Sequence, residues 1–401
     1  MKHDERVIVV GAGPTGLAIA LGLQRQGIAT LVLESEPALT RDLRAGSFHP
    51  PTMEMLDLLG VGEKFRSIGI KVPHWQIRDR KEGVVAQFDL GVLADETPYP
   101  YRLHCEQFKL TPILYDALLA AGGSVRFSTE FTGMTQDGDG VIAEAKGPGG
   151  VERFAGRYLV GADGGRSAVR KAMGVEFEGF TWPERFLVVS MTDDLAPLGY
   201  TGNAYIADPV EWVAIFVMPH LGPPGLWRVV FPTDTAIPEE VVTSDAFCQE
   251  RLRGFLPKSQ RFEIPYASTY RVHQRVAKDF RHGRVLLAGD AAHVNNPLGA
   301  MGLNSGLHDA LNLVEKLGAV FKGDAEDALL DRYVRQRRQT NIEYVQAGSI
   351  RNKQLLEERD PAVRRQRLDE VRATAADPVK AKAHLMRTSM IASVRRAAAI
   401  A

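Results

Sequence analysis

The stretch GDAAHVNNPLGAMGLNSGLHDALNL, residues 289–313, places an Asp, a His, three Asn, a Pro and four Gly between Gly289 and Gly306. It follows an aliphatic run and leads into a helix-like one. Glycines let a backbone approach a partner closely, and an Asp at a strand end suits a loop that wraps a polar ligand. An ordinary tight turn has the same composition, so the stretch alone leaves both readings open. Near the start of the chain, Gly11, Gly13 and Gly16 spell GxGxxG, with Pro14 and Thr15 before the third glycine and Glu34 further on. The first glycine permits a tight turn, the second lets backbone meet a pyrophosphate, and the third lets helix pack on strand. The helix N-terminus then faces the phosphates, and Glu34 can accept hydrogen bonds from an adenosine ribose. An acidic residue there favours FAD or NAD over NADP and does not separate the first two.

These residues need elements to hold them. RVIVVGAGPTGLAIALGLQRQGIATLVLE reads as strand, glycine turn, helix and second strand, which is one βαβ unit. PPTMEMLDLLGVGEKF reads as a helix with Pro51 near its start and Gly60 near its end, and CEQFKLTPILYDALLAAG as another. Between residues 123 and 161, short β runs are separated by the hairpin signals DGDG and GPGG. RYLVGADG then returns to an apolar strand ending in glycines. Residues 186–231 alternate polar and apolar, with almost no helical period, and imply an antiparallel sheet forming a separate layer. GRVLLAGDAAH is a buried strand again, and the chain is helical from Leu303. Beyond Gln339 it is helix-prone and charge-rich, and reads as a solvated helical cap.

Composition narrows the partners. The 401 residues are 45% hydrophobic and 24% charged, as in a globular protein with two or three cores. Lys+Arg and Asp+Glu are both 49, so no global charge draws the chain to nucleic acid or to an acidic membrane surface. The two cysteines, Cys105 and Cys248, stand in no zinc-like or CxxC spacing, which fits reduced thiols in a cytoplasm. The start is polar, unlike a signal peptide, and no uncharged apolar stretch reaches the roughly 18 residues of a membrane span. GxSxG, HExxH and paired CxxC are absent, so hydrolase and metal chemistries find no support.

Two further segments carry a family resemblance. YLVGADGGRSAVRKAMG resembles the DG motif, and the 289–313 stretch with its preceding strand the GD motif, of the single-component FAD-dependent aromatic hydroxylases. These are the class A flavoprotein monooxygenases built on the p-hydroxybenzoate hydroxylase fold. With GxGxxG they form three fingerprints in the family's order, and the resemblance spans residues 6–338. It implies an α/β chain with a Rossmann-like FAD-binding domain of residues 1–73, 101–174 and 276–339. An inserted antiparallel-sheet substrate domain would comprise residues 74–100 and 175–275, and a helical C-terminal segment residues 340–401.

The resemblance also implies roles. Asp290, after Gly289, would hold the FAD ribityl chain. Gly302, Leu303 and Asn304 would offer backbone N–H groups to the flavin pyrimidine edge, where negative charge accumulates on reduction. Pro297 would face the substrate side of the ring. Asp163 and Gly164 belong to the pyrophosphate region, with a link to NAD(P)H binding, and Ser167 and Arg170 would brace their loop. Arg44, in RDLRAGSF, and Gln107, in CEQF, correspond to FAD contacts. His293 reads as a packing or capping residue. In the implied chemistry NADH or NADPH reduces FAD, reduced flavin captures O2 as a C4a-hydroperoxide, and the distal oxygen passes to an electron-rich ring. A single GxGxxG agrees with a nicotinamide co-substrate that binds only transiently.

For the substrate, a phenol or an N-heteroaromatic, Tyr205 matches by short ungapped similarity the family tyrosine that polarises a phenol; a core tyrosine is an equal reading. Phe216 and Met218 stand where p-hydroxybenzoate hydroxylase grips a carboxylate with Ser and Arg, which makes a benzoate held that way doubtful. His220 and Arg228 are the remaining polar candidates near the substrate. The alternatives are an epoxidase or halogenase on the same scaffold, or a flavin-binding sensor without turnover. A monomer or homodimer is expected.

Overall fold

The computed structural model describes residues 5–41, 43, 45–219, 225–256 and 261–401, so two expected site residues, Arg44 and His220, lie outside the described residues. Aliphatic runs that are short and continuous, as in RVIVV, can be buried on both faces of a sheet. Here they build a six-stranded sheet in the order Arg281–His282, Val285–Leu287, Tyr158–Gly161, Arg6–Val10, Ala29–Leu33, Ser124–Arg126. Every neighbouring pair is parallel except the edge hairpin at 281–287. Helix Pro14–Arg25 packs against both Gln107–Ala120 and Met301–Lys322. A three-stranded sheet, Glu130–Gln136, Val141–Gly147 and Gly150–Gly156, adds Phe131, Val141 and Phe154 to the same core.

This order decides where the chemistry sits. The GD segment follows Val285–Leu287, the DG segment Tyr158–Gly161, the GxGxxG turn Arg6–Val10, and Glu34 the strand Ala29–Leu33. Four adjacent parallel strands thus deliver all the motif residues to one edge, outside their carboxyl ends, where open α/β sheets bind ligands. The glycine turn is built to that end. A Cβ at Gly16 would overlap the Gly11 carbonyl oxygen, so only glycine lets the helix start so close to the strand.

The alternating segment forms the expected second layer, an eight-stranded sheet. Its order is His293–Val294, Tyr266–Ala277, Phe177–Met191, Leu226–Thr233, Val213–Met218, Asn203–Ala207, His74–Asp79, Gly83–Asp89. One face carries Leu187, Val189, Ile206, Ile215 and Phe231 against helix Asp245–Arg253. The other carries Trp75, Ile77, Phe88, Tyr205 and Val230 toward Leu298 and the C-terminal helices.

Three expectations change. PPTMEMLDLLGVGEKF is two helices, Pro50–Leu58 and Gly62–Arg66, because Gly60 adopts φ +60 and ends the first. Helices Glu239–Val242 and Asp245–Arg253 interrupt the region read as sheet. The tail is not a solvated cap: Leu356, Leu368, Leu385 and Ile391 are buried under the second sheet. It leaves helix Leu329–Thr340 through a π-helical turn, Asn341–Gln346, into helices Ala347–Glu357, Pro361–Ala376, Pro378–Thr388 and Ile391–Ala398. Among the described residues no helix is long and apolar enough to cross a membrane.

Gly16→Ala is expected to destabilise the protein by at least the 1–3 kcal/mol typical of overpacking, since the new methyl meets backbone rather than a movable side chain. A lowered denaturant midpoint measured without added FAD checks this.

Candidate active site

The nucleotide end of the site is a set of backbone donors facing open space. Helix Pro14–Arg25 has Gly13 as its N-cap, with no side-chain capping bond, and a Cβ at Gly13 would meet nothing within 4 Å. Pro14, as first helical residue, removes one donor that the helix could not satisfy anyway. Thr15 fills the gap between two motif glycines: its hydroxyl would lie 2.6 Å from a Cβ at Gly306 and 2.8 Å from one at Gly289. Glu34 uses Oε2 to accept from Ala12 N at 2.7 Å and Oε1 to accept from Glu36 N at 2.9 Å, which fixes the carboxylate at the strand end. Asp290 is exposed on the same edge. A diphosphate dinucleotide fits this cradle: open space at Gly13, unpaired N–H groups at a helix start, and an acidic residue at the next strand end.

Asp163 is engaged within its own loop. Its carboxylate accepts from Ser167 Oγ at 2.5 Å, Ala168 N at 2.7 Å and Val169 N at 3.1 Å, so it caps the short helix Ala168–Ala172. Gly164 beside it takes φ +77. Arg170 reaches from that helix to the Ala291 carbonyl at 2.7 Å and the Gly165 carbonyl at 2.9 Å, tying the DG loop to the GD loop.

One buried carboxylate organises the GD segment. Asp309, on helix Met301–Lys322, accepts from Gly289 N at 2.9 Å, His293 Nε2 at 2.7 Å and Arg337 Nε at 2.6 Å, and all three side chains are essentially inaccessible. Burial alone would raise its carboxyl, but the contacts with His293 and Arg337 win and hold it at about 2. His293, read as a packing or capping residue, is held here by Asp309. The turn after it ends in two left-handed residues, Gly299 at φ +108 and Ala300 at φ +55, immediately before the helix. A non-glycine residue there stores on the order of 1 kcal/mol or more of strain, and strong contacts hold it. Asn296 N donates to Gln274 Oε1 at 3.1 Å, Asn352 donates to the Leu298 carbonyl at 3.2 Å, and His49 Nε2 donates to the Gly299 carbonyl at 2.9 Å.

Helix Met301–Lys322 also lacks a side-chain N-cap, so the N–H groups of Met301, Gly302 and Leu303 have no partner within the helix. Asn304 enters through its side chain instead. Fully buried, it accepts from His49 N at 2.8 Å and Thr52 Oγ1 at 2.7 Å and donates to the Ser47 carbonyl at 2.9 Å.

Between this loop, the second sheet and the tail lies a cavity of about 410 Å3, whose walls include Trp75, Phe88, Arg102, Gly299, Met301 and His384. Trp75 stacks on His384 at 5.5 Å and meets Tyr205 edge-on at 5.9 Å, and Tyr205 meets Phe216 edge-on at 6.1 Å. The Tyr205 hydroxyl, 1% exposed, accepts from Gly299 N at 2.6 Å, and burial raises its pKa. Arg228 lies beside Phe216 across the strand pair. Pro297 is half-buried at the loop's apex and accepts from Ala300 N at 2.9 Å. Gln107 begins its helix, its N–H donating to the Ala45 carbonyl at 3.0 Å.

Four residues at this end were not singled out in the sequence: His49, Arg102, His104 and Asn203, all buried. Arg102 and His104 share a face of the three-residue strand Arg102–His104, too short for a period-2 pattern to register.

Fold and site together define a flavoprotein monooxygenase. The chain belongs to the family described as FAD binding domain, whose model matches residues 4–347, and FAD is its cofactor. Within that class it is an aromatic hydroxylase by its relatives. Para-nitrophenol 4-monooxygenase of Pseudomonas sp. strain WBC-3 is 36% identical over 368 residues, covering 91% of this chain and 90% of that protein. The 6-hydroxy-3-succinoylpyridine 3-monooxygenase HspB of Pseudomonas putida strain S16 is 34% identical over 86% of this chain and 87% of its own. The crystal structure of p-nitrophenol 4-monooxygenase PnpA from Pseudomonas putida DLL-E4 superposes with a TM-score of 0.92 at 33% identity, covering 98% and 99% of the two chains.

Two outcomes are expected. Gly13→Val should melt like the parent without FAD, because its side chain enters open space, yet fail to retain FAD in a binding titration. Asp309→Asn should cost about 3–5 kcal/mol in urea denaturation, having left Arg337 buried without its anion. In the parent, the Asp309 carboxyl lies below its ordinary 3.8, so its stabilisation is complete above that pH and is lost as pH falls toward 2. The variant's acid unfolding curve should be flatter across that window.

Proposed function

We propose that the protein hydroxylates a small phenol or N-heteroaromatic ring, consuming NADH or NADPH and O2. The observation that carries this reading is the aromatic-walled cavity set directly against the 295–300 loop, where the GD segment becomes a helix. Its volume suits one ring with substituents. The names of the two curated relatives, one acting on a nitrophenol and one on a hydroxypyridine, support the same ring class.

Bound FAD supplies hydride acceptance from the nicotinamide and activation of O2. The remaining work belongs to the chain. Gly11, Gly13, Pro14, Thr15, Gly16 and Glu34 would hold the adenosine diphosphate end, with Asp163 acting through the loop it caps. Gly289 and Asp290 would hold the ribityl chain, with Arg44 and Gln107 as further contacts. Gly302 and Leu303 N–H groups would face the pyrimidine edge, where preorganised donors stabilise developing negative charge. Trp75, Phe216 and Leu298 exclude water, and Pro297 positions the ring. In this reading residues 74–100 and 175–275 serve as substrate domain, and residues 340–401 close it.

Tyr205 has a double role in this scheme. Its oxygen accepts from Gly299 N, which fixes the loop, and its own O–H remains as a donor to a substrate oxygen. Phenols and hydroxypyridines are expected to stimulate NAD(P)H oxidation and to yield a product heavier by one oxygen atom; bound FAD with no such stimulation would mark a sensor. Tyr205→Phe should keep FAD and still be reduced, yet hydroxylate roughly 10²–10³ more slowly with more hydrogen peroxide released. It should also lose about 1–3 kcal/mol of stability by orphaning Gly299 N–H. The ratio of product to NAD(P)H consumed is the deciding measurement, because a purely structural tyrosine lowers stability and leaves that ratio unchanged.

A further inference from the structure

Of the charged residues in the cavity wall, Arg102 alone is buried: Arg351 and Glu370 are exposed, Arg367 pairs with Glu358, and Arg387 donates to the Glu343 carbonyl. Arg102 is 2% exposed, and neither its Nε nor its Nη1 has a hydrogen-bond partner. It forms no ion pair with any described carboxylate. Its contact is a cation–π one, with the guanidinium carbon 5.2 Å from the Trp75 ring centre. A guanidinium stays charged inside a protein, and a buried charge is ordinarily paired.

The surroundings do not compensate it. His104 lies beside it on the same strand, His49 and His384 face it from elsewhere in the fold, and each is held neutral: burial and the Arg102 charge push His104 down to about 3, His384 to about 4, and His49 well below the ordinary range. His104 Nδ1 donates to the Val217 carbonyl at 2.9 Å, which leaves its Nε2 a buried acceptor without a partner. Tyr205 is the other titratable group beside Arg102, and burial keeps it protonated. On the Tyr205 face of the sheet, Asn203 is fully buried with both side-chain polar atoms unpartnered. Polar groups left so call for a partner, whether water, an ion or a ligand.

We propose that Arg102 is the specificity-determining residue of this site, and that it selects aromatic substrates carrying an oxyanion, which pairs with its guanidinium while the ring lies against Trp75. His104, on the same strand as Arg102, adds an unpartnered acceptor beside it. The proposal rests on the reading of this cavity as the aromatic-substrate site. It explains how a benzoate grip can be missing at Phe216 and Met218 while the site still recognises a charged arene: the cation comes from strand Arg102–His104 instead of the sheet.

The test is isothermal titration of the purified FAD-bound protein with three probes of one shape: 4-nitrophenolate, 4-nitrobenzoate and the uncharged 4-nitroanisole. The parent should bind at least one anion more tightly than the ether, and whichever anion it prefers identifies phenolate or carboxylate as the group recognised. Arg102→Met should weaken that anion about 10- to 100-fold, the range for a charge-assisted hydrogen bond, with the ether unchanged. Arg102→Lys, which retains a charge should the methionine variant not fold, should still favour the anion. Equal affinities of the parent for anion and ether, or equal losses for both in Arg102→Met, would overturn the proposal. Product analysis separates the two readings: charge-selective binding without hydroxylation defeats only the proposed reaction, and hydroxylation without charge selectivity defeats only the role of Arg102.

Discussion

The buried carboxylate of Asp309 is the constraint on which the site depends. A single side chain joins the start of the GD loop, the histidine within it and an arginine from the following helix, where no water can substitute for any of them. Desolvating a charge is costly, and the arrangement is favourable only because three donors, two of them on potentially cationic side chains, meet the carboxylate. The reward is positional. With Gly289 and His293 fixed to the same helix, the path of the chain between them, including Asp290, is determined to within a short turn.

The same logic continues into the loop that follows. Residues 295–300 are held by the second sheet through Gln274 and Tyr205, by the first layer through His49, and by the tail through Asn352. The strained Ala300 is tolerable because these contacts over-determine it. Two sheets and the C-terminal helices thus meet at one hairpin-sized element, which is also the element beside the cavity. Arg102 in the cavity wall is the opposite case, with donors that the protein leaves unmatched.

How much of this could be read from the sequence follows from the range of the interactions. GxGxxG, the DG and GD segments and Glu34 are legible as short motifs, although several of their reasons are distant, with Gly289 and Gly306 closing on Thr15 and Gly11 on Ala162, and the strand order carries them to one edge. Tyr205 was legible only through its resemblance to the family's tyrosine, and its hydrogen bond to Gly299, ninety-four residues away in sequence, was not. Arg102, His104, His49 and Asn203 gave no signal, since a lone Arg or His in YRLHCEQF acquires meaning only when Trp75 and Tyr205 are brought against it. The charge-rich tail misled for a related reason. Leucines such as Leu356, Leu368 and Leu385 are spaced too sparsely to announce a buried face, and need the second sheet to define one.

The strand order also sets a timetable. Val285–Leu287 pairs with Tyr158–Gly161, which pairs with Arg6–Val10, and helix Pro14–Arg25 rests on Met301–Lys322. The nucleotide cleft is therefore shared between the beginning of the chain and a segment synthesised three-quarters of the way along it. During translation the GxGxxG turn emerges early with only its local βαβ partners, and the GD strand must wait for all but one strand of the second sheet to be made. Contacts of such long sequence separation are slow to form, and they leave hydrophobic strand edges exposed in the interval. Cofactor capture is consequently a late event in the life of each nascent molecule, coincident with closure of the first sheet.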